Sequence, residues 1–438
     1  MSAEGLADVE KYARAVEAMR ELEEDDPRNW ANQAAIHARW CPHFNWYFLP
    51  WHRAYLYCFE EICRDVLKDD AFALPYWAWE RQTSLPPAFT ENGPLKHERR
   101  LQPDQNLPPD FNVDYVDELV RDKDPITFFS ERSEEQRQRV TAGGLESLHN
   151  ALHVRVGGDM NFPVSAPLDP IFWVHHANVD RIWAMWSARP QNAVPDDESF
   201  AKYEFEGDRE FVDRNKRPVS FSVGELFETN AAPLNYGYDD VQAPPAAGGQ
   251  AALFEVREEL SASATNERSV PLGRPLEVLI GGEQGANLPL GMFRELPSNA
   301  PQMRILIAGL EPPSDSSVLI RVYLNCDYLS VDTPVSDSHY VATLAFFGSD
   351  HDHGGEGEHT EMNDHDRARM ASGTNNGGSA FVIDATQTLR DLAANRNTDP
   401  ANRDLRVQFI AVSADEAEAK AVEILPRMVQ VQTVIRPA

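Results

Sequence analysis

Cysteine is scarce: Cys41, Cys58, Cys63 and Cys326 are the only four in 438 residues. Thiols so few and so widely spread make no disulfide framework, and a chain of this length can build its cores without one. Long apolar runs are missing as well, since no stretch reaches the roughly 18 residues that a membrane-spanning helix needs. Positive charge is in deficit, with 40 Lys and Arg against 70 Asp and Glu and a formal charge of -30. Phosphate backbones and anionic lipid repel such a surface, which sets aside nucleic-acid and membrane partners. The start of the chain carries Glu4, Asp8 and Glu10 where a secretory leader needs a basic stretch and an apolar run, so the cytoplasm is the expected compartment.

Apolar residues are not lacking. They make up 42% of the chain, and aromatics 10%, which excludes a disordered chain and supports packed cores. Residues 1–240 read mainly as helix. Val9, Tyr12, Val16, Met19 and Leu22 recur at helical spacing, and Trp51–Leu67, Leu145–Val156 and Pro170–Trp186 read as further helices, the last with Asp169 as its N-cap. The Pro- and Asp-rich stretch 81–130 reads as a long surface excursion. Residues 241–250, VQAPPAAGGQ, have linker composition. Beyond them eight short runs follow: Ala252–Val256, Leu276–Ile280, Arg304–Ile307, Val318–Leu324, Tyr340–Phe347, Ala380–Ile383, Leu405–Val412 and Val429–Ile435. The expected fold is therefore α+β and multidomain: a mainly helical domain over 1–240, built on a four-helix bundle, a linker over 241–250, and a β-sandwich or jelly roll over 251–438.

The chemistry lies in the histidines. His149 and His153, in LHNALHV, stand one helical turn apart, where two imidazoles on one face can grip one metal ion. His37, His43 and His52 form a second group, and His175 and His176 sit in the apolar helix FWVHHANVDR. Imidazoles set among Trp, Phe and Val need a partner, because an unpaired polar group in apolar surroundings is costly. Backbone carbonyls satisfy one or two such rings, but strain to explain two groups of three.

These segments resemble the type-3 copper proteins: tyrosinases, catechol oxidases and molluscan haemocyanins. IHARWCPHFNWYFLPWHRAYLYCFEE is similar to their first copper-binding region. GGLESLHNALHVRVGGDM, followed by LDPIFWVHHANVDRIWAMW, is similar to their second. The resemblance implies two copper ions, one held by His37, His43 and His52 and the other by His149, His153 and His176. His175 is then a neighbour rather than a ligand. Neutral imidazoles suit copper in both oxidation states and leave a position open on each ion. Asp180 either accepts the free N–H of a ligand or forms an ion pair with Arg53 or Arg181.

The same resemblance extends to finer points. Cys41-Pro42-His43 has the Cys-x-His spacing of relatives in which the cysteine is joined to the histidine by a thioether. Glu146 and Asn150 correspond to a pair that holds a proton-accepting water, although the glutamate stands one residue closer to the histidine than is usual in the family. Pro163, beside Phe162, falls where plant enzymes carry a phenylalanine over the second copper, and a smaller residue there admits bulkier phenols. SSVLIRVYLNCDYLS resembles part of a β-rich domain that lies over the copper site in relatives and pushes one side chain into it; Tyr328 or Leu329 is the candidate plug. His351, His353, His359 and His365, within the Gly- and acid-rich stretch 349–366, read as a solvated loop with no assigned ligands. The implied activity is the oxidation of phenols by dioxygen, with hydroxylation of monophenols to o-diphenols and oxidation of these to o-quinones. The alternatives are a catechol oxidase limited to the second step and, in a different class, a haemocyanin-like oxygen carrier.

Overall fold

A computed structural model describes residues 3–205, 211–241, 255–262, 274–280, 302–347, 378–394, 405–414 and 425–435. Its α-helices are α1 (Ala3–Arg20), α2 (Trp30–Trp40), α3 (Phe48–Leu67), α4 (Val113–Arg121), α5 (Pro125–Phe128), α6 (Gly144–Val156), α7 (Ile171–Ser187), α8 (Glu198–Lys202) and α9 (Thr386–Ala394). The strands are β1 (Glu204–Phe205), β2 (Phe211–Val212), β3 (Pro218–Val219), β4 (Phe221–Ser222), β5 (Glu255–Ala262), β6 (Leu276–Ile280), β7 (Gln302–Leu310), β8 (Val318–Leu324), β9 (Tyr340–Leu344), β10 (Ser379–Asp384), β11 (Leu405–Ser413) and β12 (Met428–Ile435). The α+β class expected from the sequence is the one observed. Two compact units result, one of Met1–His43, Tyr47–Arg121 and Val156–Ala251, the other of Phe44–Trp46, Asp122–Arg155 and Ala252–Ala438.

The first unit is helical. Helix α2 starts where the Asn29 side chain accepts the Ala31 N–H, an N-cap that satisfies one of the free donors of the first turn. Helix α3 carries Pro50 in its first turn and ends at Lys68, whose left-handed backbone (φ 52°) turns the chain out of the helix. Helix α7 is buried almost all round, as suits an apolar helix inside a packed unit. Its N-terminal N–H at Ile171 is accepted by Asp169, the residue expected to cap it. Phe59 of α3 stacks on Trp173 of α7 with ring centres 3.5 Å apart. A buried ion pair joins the same helices, Arg53 Nε donating to Asp180 at 2.5 Å. The guanidinium also lies 3.4 Å from the Trp183 ring centre. Removing two charges from water is expensive. Here the Tyr236 and Tyr238 hydroxyls also donate to the Asp180 carboxylate, and the Leu226 carbonyl accepts from Arg53, so both charges are hydrogen-bonded beyond the pair itself. Of the two roles open to Asp180, the ion pair is the one the structure contains.

The second unit is a β-sandwich with α5, α6 and α9 attached. Two four-stranded antiparallel sheets run in the orders β10-β7-β12-β5 and β6-β11-β8-β9. Ile305, Ile307, Val429 and Val431 of one sheet share a core with Val322, Leu324, Val407 and Phe409 of the other. Helix α6 belongs to this unit through the segment before it. Ala142 pairs with the edge of β10: its N–H donates to Ala380 O at 2.9 Å, and its carbonyl accepts the Val382 N–H at 3.0 Å. Gly143 follows, and a Cβ there would lie 2.3 Å from the Phe129 carbonyl oxygen, so only glycine allows this close approach. The units thus divide the chain differently from cuts at 240 and 251, because the pairing of Ala142 with a strand some 240 positions away leaves no local pattern in the sequence. The linker from residue 242 onward and the histidine-rich stretch 349–366 lie outside the described residues.

Candidate metal centre

In the first unit three elements converge their histidines. His37 lies on α2, His43 in the turn after it, His52 on α3 and His176 on α7, and all four are buried. One ring nitrogen each from His37, His52 and His176 lie within 4.8 Å of one another. His52 and His176 are parallel, with ring centres 4.4 Å apart and planes at 9°. The Phe172 ring stands 5.0 Å from His37 and 4.2 Å from His176. Backbone carbonyls orient two of the rings: His37 Nδ1 is 2.8 Å from Pro163 O, and His52 Nδ1 is 2.8 Å from Phe48 O, one turn back on its own helix. A proton on each Nδ1 leaves Nε2 as the lone-pair nitrogen, the tautomer that a metal ligand requires. Among the described residues, the buried Nε2 of His37 meets no hydrogen-bond partner. Burial pushes the His37 imidazole down to about 4, with the Pro163 carbonyl opposing. The His52 ring is likewise held well below the usual histidine range by burial and then by His37. Neutral imidazoles oriented through Nδ1, with Nε2 as the lone-pair nitrogen, fit copper chemically. His175 is buried beside His176, ring centres 5.1 Å apart, and burial lowers it to about 3.

Cys41 is half-buried at the end of α2. Its sulfur and one ring nitrogen each from His37 and His43 lie within 4.8 Å of one another. Pro163, placed by the sequence reading near a substrate entrance, serves through its carbonyl as the support of His37.

In the second unit α6 carries the other residues of interest. His149 and His153 are fully buried one turn apart, with ring centres 4.4 Å apart. His149 Nδ1 is 3.0 Å from Asn150 Oδ1, which orients that ring as the carbonyls orient His37 and His52. Glu146 and Asn150 are also one turn apart and fully buried. The Phe44 N–H donates to Glu146 Oε1 at 2.7 Å. Burial raises the Glu146 carboxyl well above the usual range, against the pull of the Phe44 N–H and of Arg139. The Asn150 Nδ2 has no hydrogen-bond partner among the described residues.

The aromatic ring against these histidines is Phe347, which sequence reasoning missed. It stacks on His153 with ring centres 3.8 Å apart and planes at 16°, and lies 5.6 Å from His149. The signal was present, since Phe346-Phe347 ends the apolar run from Tyr340. Tyr328 stands elsewhere in the unit, 61% exposed, its hydroxyl donating to Asp337 Oδ2 at 3.0 Å. Leu329 is buried beside it, and its N–H reaches the Cys326 carbonyl.

Comparison with known proteins agrees with this chemistry. The common central domain of tyrosinase matches residues 27–108 and 88–189, a span containing all six histidines implied as ligands. A tyrosinase of Hahella sp. (strain CCB-MM4) is 27% identical over an alignment of 481 positions, covering 93% of this chain and 94% of that protein. The latent chloroplastic polyphenol oxidase of Prunus armeniaca is 30% identical over 285 positions, covering 53% of this chain and 47% of that one, so the chain spans about half the length of this plant relative. In fold, latent apple tyrosinase superimposes over 99% of this chain and 95% of its own, with a TM-score of 0.69 at 22% identity. The chain belongs to the type-3 copper family of tyrosinases and polyphenol oxidases. This supports a copper-dependent phenol oxidase whose cofactor is a pair of copper ions, and enzymes of the family act on phenols with dioxygen.

One expectation is corrected. The plant relatives from Prunus armeniaca, Malus domestica and Vitis vinifera are chloroplastic polyphenol oxidases, which overturns the cytoplasm as the compartment inferred from the acidic start of this chain. Among the described residues no helix is long and apolar enough to cross a membrane.

Proposed function

We propose that this oxidase carries out both steps, hydroxylating monophenols to o-diphenols and oxidising these to o-quinones, with His37, His43 and His52 holding one copper and His149, His153 and His176 the other. When bound, the copper pair supplies the redox chemistry with dioxygen. The chain's own residues supply the rest. A monophenol enters with its proton in place, and a pKa of about 10 makes that proton hard to remove near neutrality. The observation that carries the two-step reading is the pairing of Glu146 and Asn150 on one buried turn of α6, beside His149. The carboxylate is the proton acceptor. It is pinned at one oxygen by the Phe44 N–H, and the Asn150 Nδ2 is the donor that holds a bridging water for it. Phe347, stacked on His153, is the side chain that an entering phenol displaces.

The test compares tyrosine hydroxylation with catechol oxidation in copper-loaded protein. Asn150→Ala is expected to depress hydroxylation about 100-fold, the scale of a lost proton-transfer device, and catechol oxidation far less. Equal losses would place Asn150 in copper binding through His149 instead. A parent enzyme without tyrosine activity would favour a catechol oxidase.

A further inference from the structure

Phe44 has an unusual backbone. It follows His43 directly, is buried and is not glycine, yet its φ is 60°. The left-handed region is uncommon for a bulky side chain and persists only where the surroundings enforce it. Three contacts enforce it here, all from the second unit. The Val140 N–H donates to the Phe44 carbonyl at 2.6 Å. The Arg139 guanidinium lies 4.2 Å from the Phe44 ring centre. The Phe381 ring of β10 meets Phe44 edge-on, centres 5.6 Å apart and planes at 71°. The product of this conformation is an amide N–H aimed at Glu146 Oε1.

Strand β10 also fixes the other end of that hydrogen bond. Its residues Ala380 and Val382 flank Phe381 and pair with Ala142, two positions before the first residue of α6. One strand therefore holds the donor through a ring contact and the acceptor's helix through backbone hydrogen bonds. Phe381 has no exposed surface and lies in the core of the sandwich.

We infer that Phe381 is a positioning residue for Glu146, acting through Phe44, so that the C-terminal sandwich takes part in the monophenol step. This rests on Glu146 being the proton acceptor, as proposed above. A general base acts only from a narrow range of positions, and a displacement of about 1 Å is enough to cost one to two orders of magnitude in rate. Oxidation of an o-diphenol, the easier deprotonation, depends less on that placement.

The experiment measures the ratio of monophenol hydroxylation to o-diphenol oxidation, with tyrosine and catechol, in the copper-loaded full chain. Phe381→Leu keeps an apolar side chain and removes the ring edge; it is expected to lower the ratio about tenfold with copper content unchanged. Phe409→Leu makes the same substitution in the same core away from Phe44, and its ratio should stay within about twofold of the parent. Arg139→Met, at a half-exposed position that places little demand on folding, removes the guanidinium from the Phe44 ring and should lower the ratio in the same direction. An unchanged ratio in both Phe381→Leu and Arg139→Met, or an equal fall in Phe409→Leu, overturns the inference. Glu146→Gln separates the two levels of argument. If it leaves hydroxylation intact, Glu146 is not the acceptor; if it abolishes hydroxylation while Phe381→Leu does not lower the ratio, only the positioning role fails.

Discussion

At the scale of single residues, the histidines are prepared for a metal by what touches their second nitrogen. Pro163 O, Phe48 O and Asn150 Oδ1 each take the Nδ1 side of a ring, and burial disfavours the charged form of His37 and His52. Cys41 adds a covalent possibility, because its sulfur lies within 4.8 Å of a ring nitrogen of His43. A thioether there removes the thiol hydrogen and one ring hydrogen, with dioxygen at the copper pair as oxidant. Peptide mass spectrometry of turned-over protein should show the Cys41–His43 peptide lighter by two hydrogens, and reducing agent should not restore them. A freely alkylated Cys41 would count against the bond. The histidines themselves were legible in the sequence, since spacing on helices places side chains directly. The apolar run ending at Phe347 was legible too, but what Phe347 and Phe381 touch was not, because they reach their neighbours through strand pairing and turns whose register no local pattern records.

At the scale of elements, eight of the strands and four of the helices could be read from apolar spacing, while α2 was missed although Asn29 caps it in the ordinary way. The structure also gathers buried acids that lie far apart in sequence. Asp122 and Asp124 precede α5, Asp384 ends β10, and Arg304 of β7 reaches Asp124 at 3.3 Å. Burial, then the Asp384 and Asp124 carboxylates, raise Asp122 well above its usual range, and burial raises Asp124 to about 6. The unfolded chain releases these protons near pH 4 and the folded chain keeps them longer, so the native state binds more protons in between. Stability is therefore present at low pH and falls as pH rises through that window, by roughly 3 kcal/mol for a shift of this size. Asp122→Asn removes one of the repelling charges and leaves an oxygen for the Asp124 N–H. The fall in Tm from pH 4 to pH 7 should be smaller in this variant by about 3 °C or more. Equal falls in variant and parent would mean that the cluster does not set the pH response.

At the scale of the whole molecule, the second unit draws most of its residues from two distant parts of the chain, with Phe44–Trp46 as a third. Asp122–Arg155 supplies α6 with His149 and His153, and Ala252–Ala438 supplies the sandwich whose edge strand pairs with Ala142. A single scission and a deletion should then have opposite consequences. The stretch 241–250 has the composition of a protease-sensitive linker, and a mild protease is expected to cut near Ala246–Gly249. The nick breaks no hydrogen bond between Ala142 and β10 and exposes none of the core shared by Phe44, Ala142 and Phe381. Nicked protein should keep both copper ions. A chain ending at residue 241 lacks β10 altogether, so Ala142 loses its pairing, Phe44 loses Phe381, and α6 loses the strand that fixes its start. Metal analysis after copper loading and dialysis should give about half the copper of the parent in this truncated chain, with the sites of the first unit retained. Full copper content in the truncated chain would show that α6 holds its histidines in place without the sandwich.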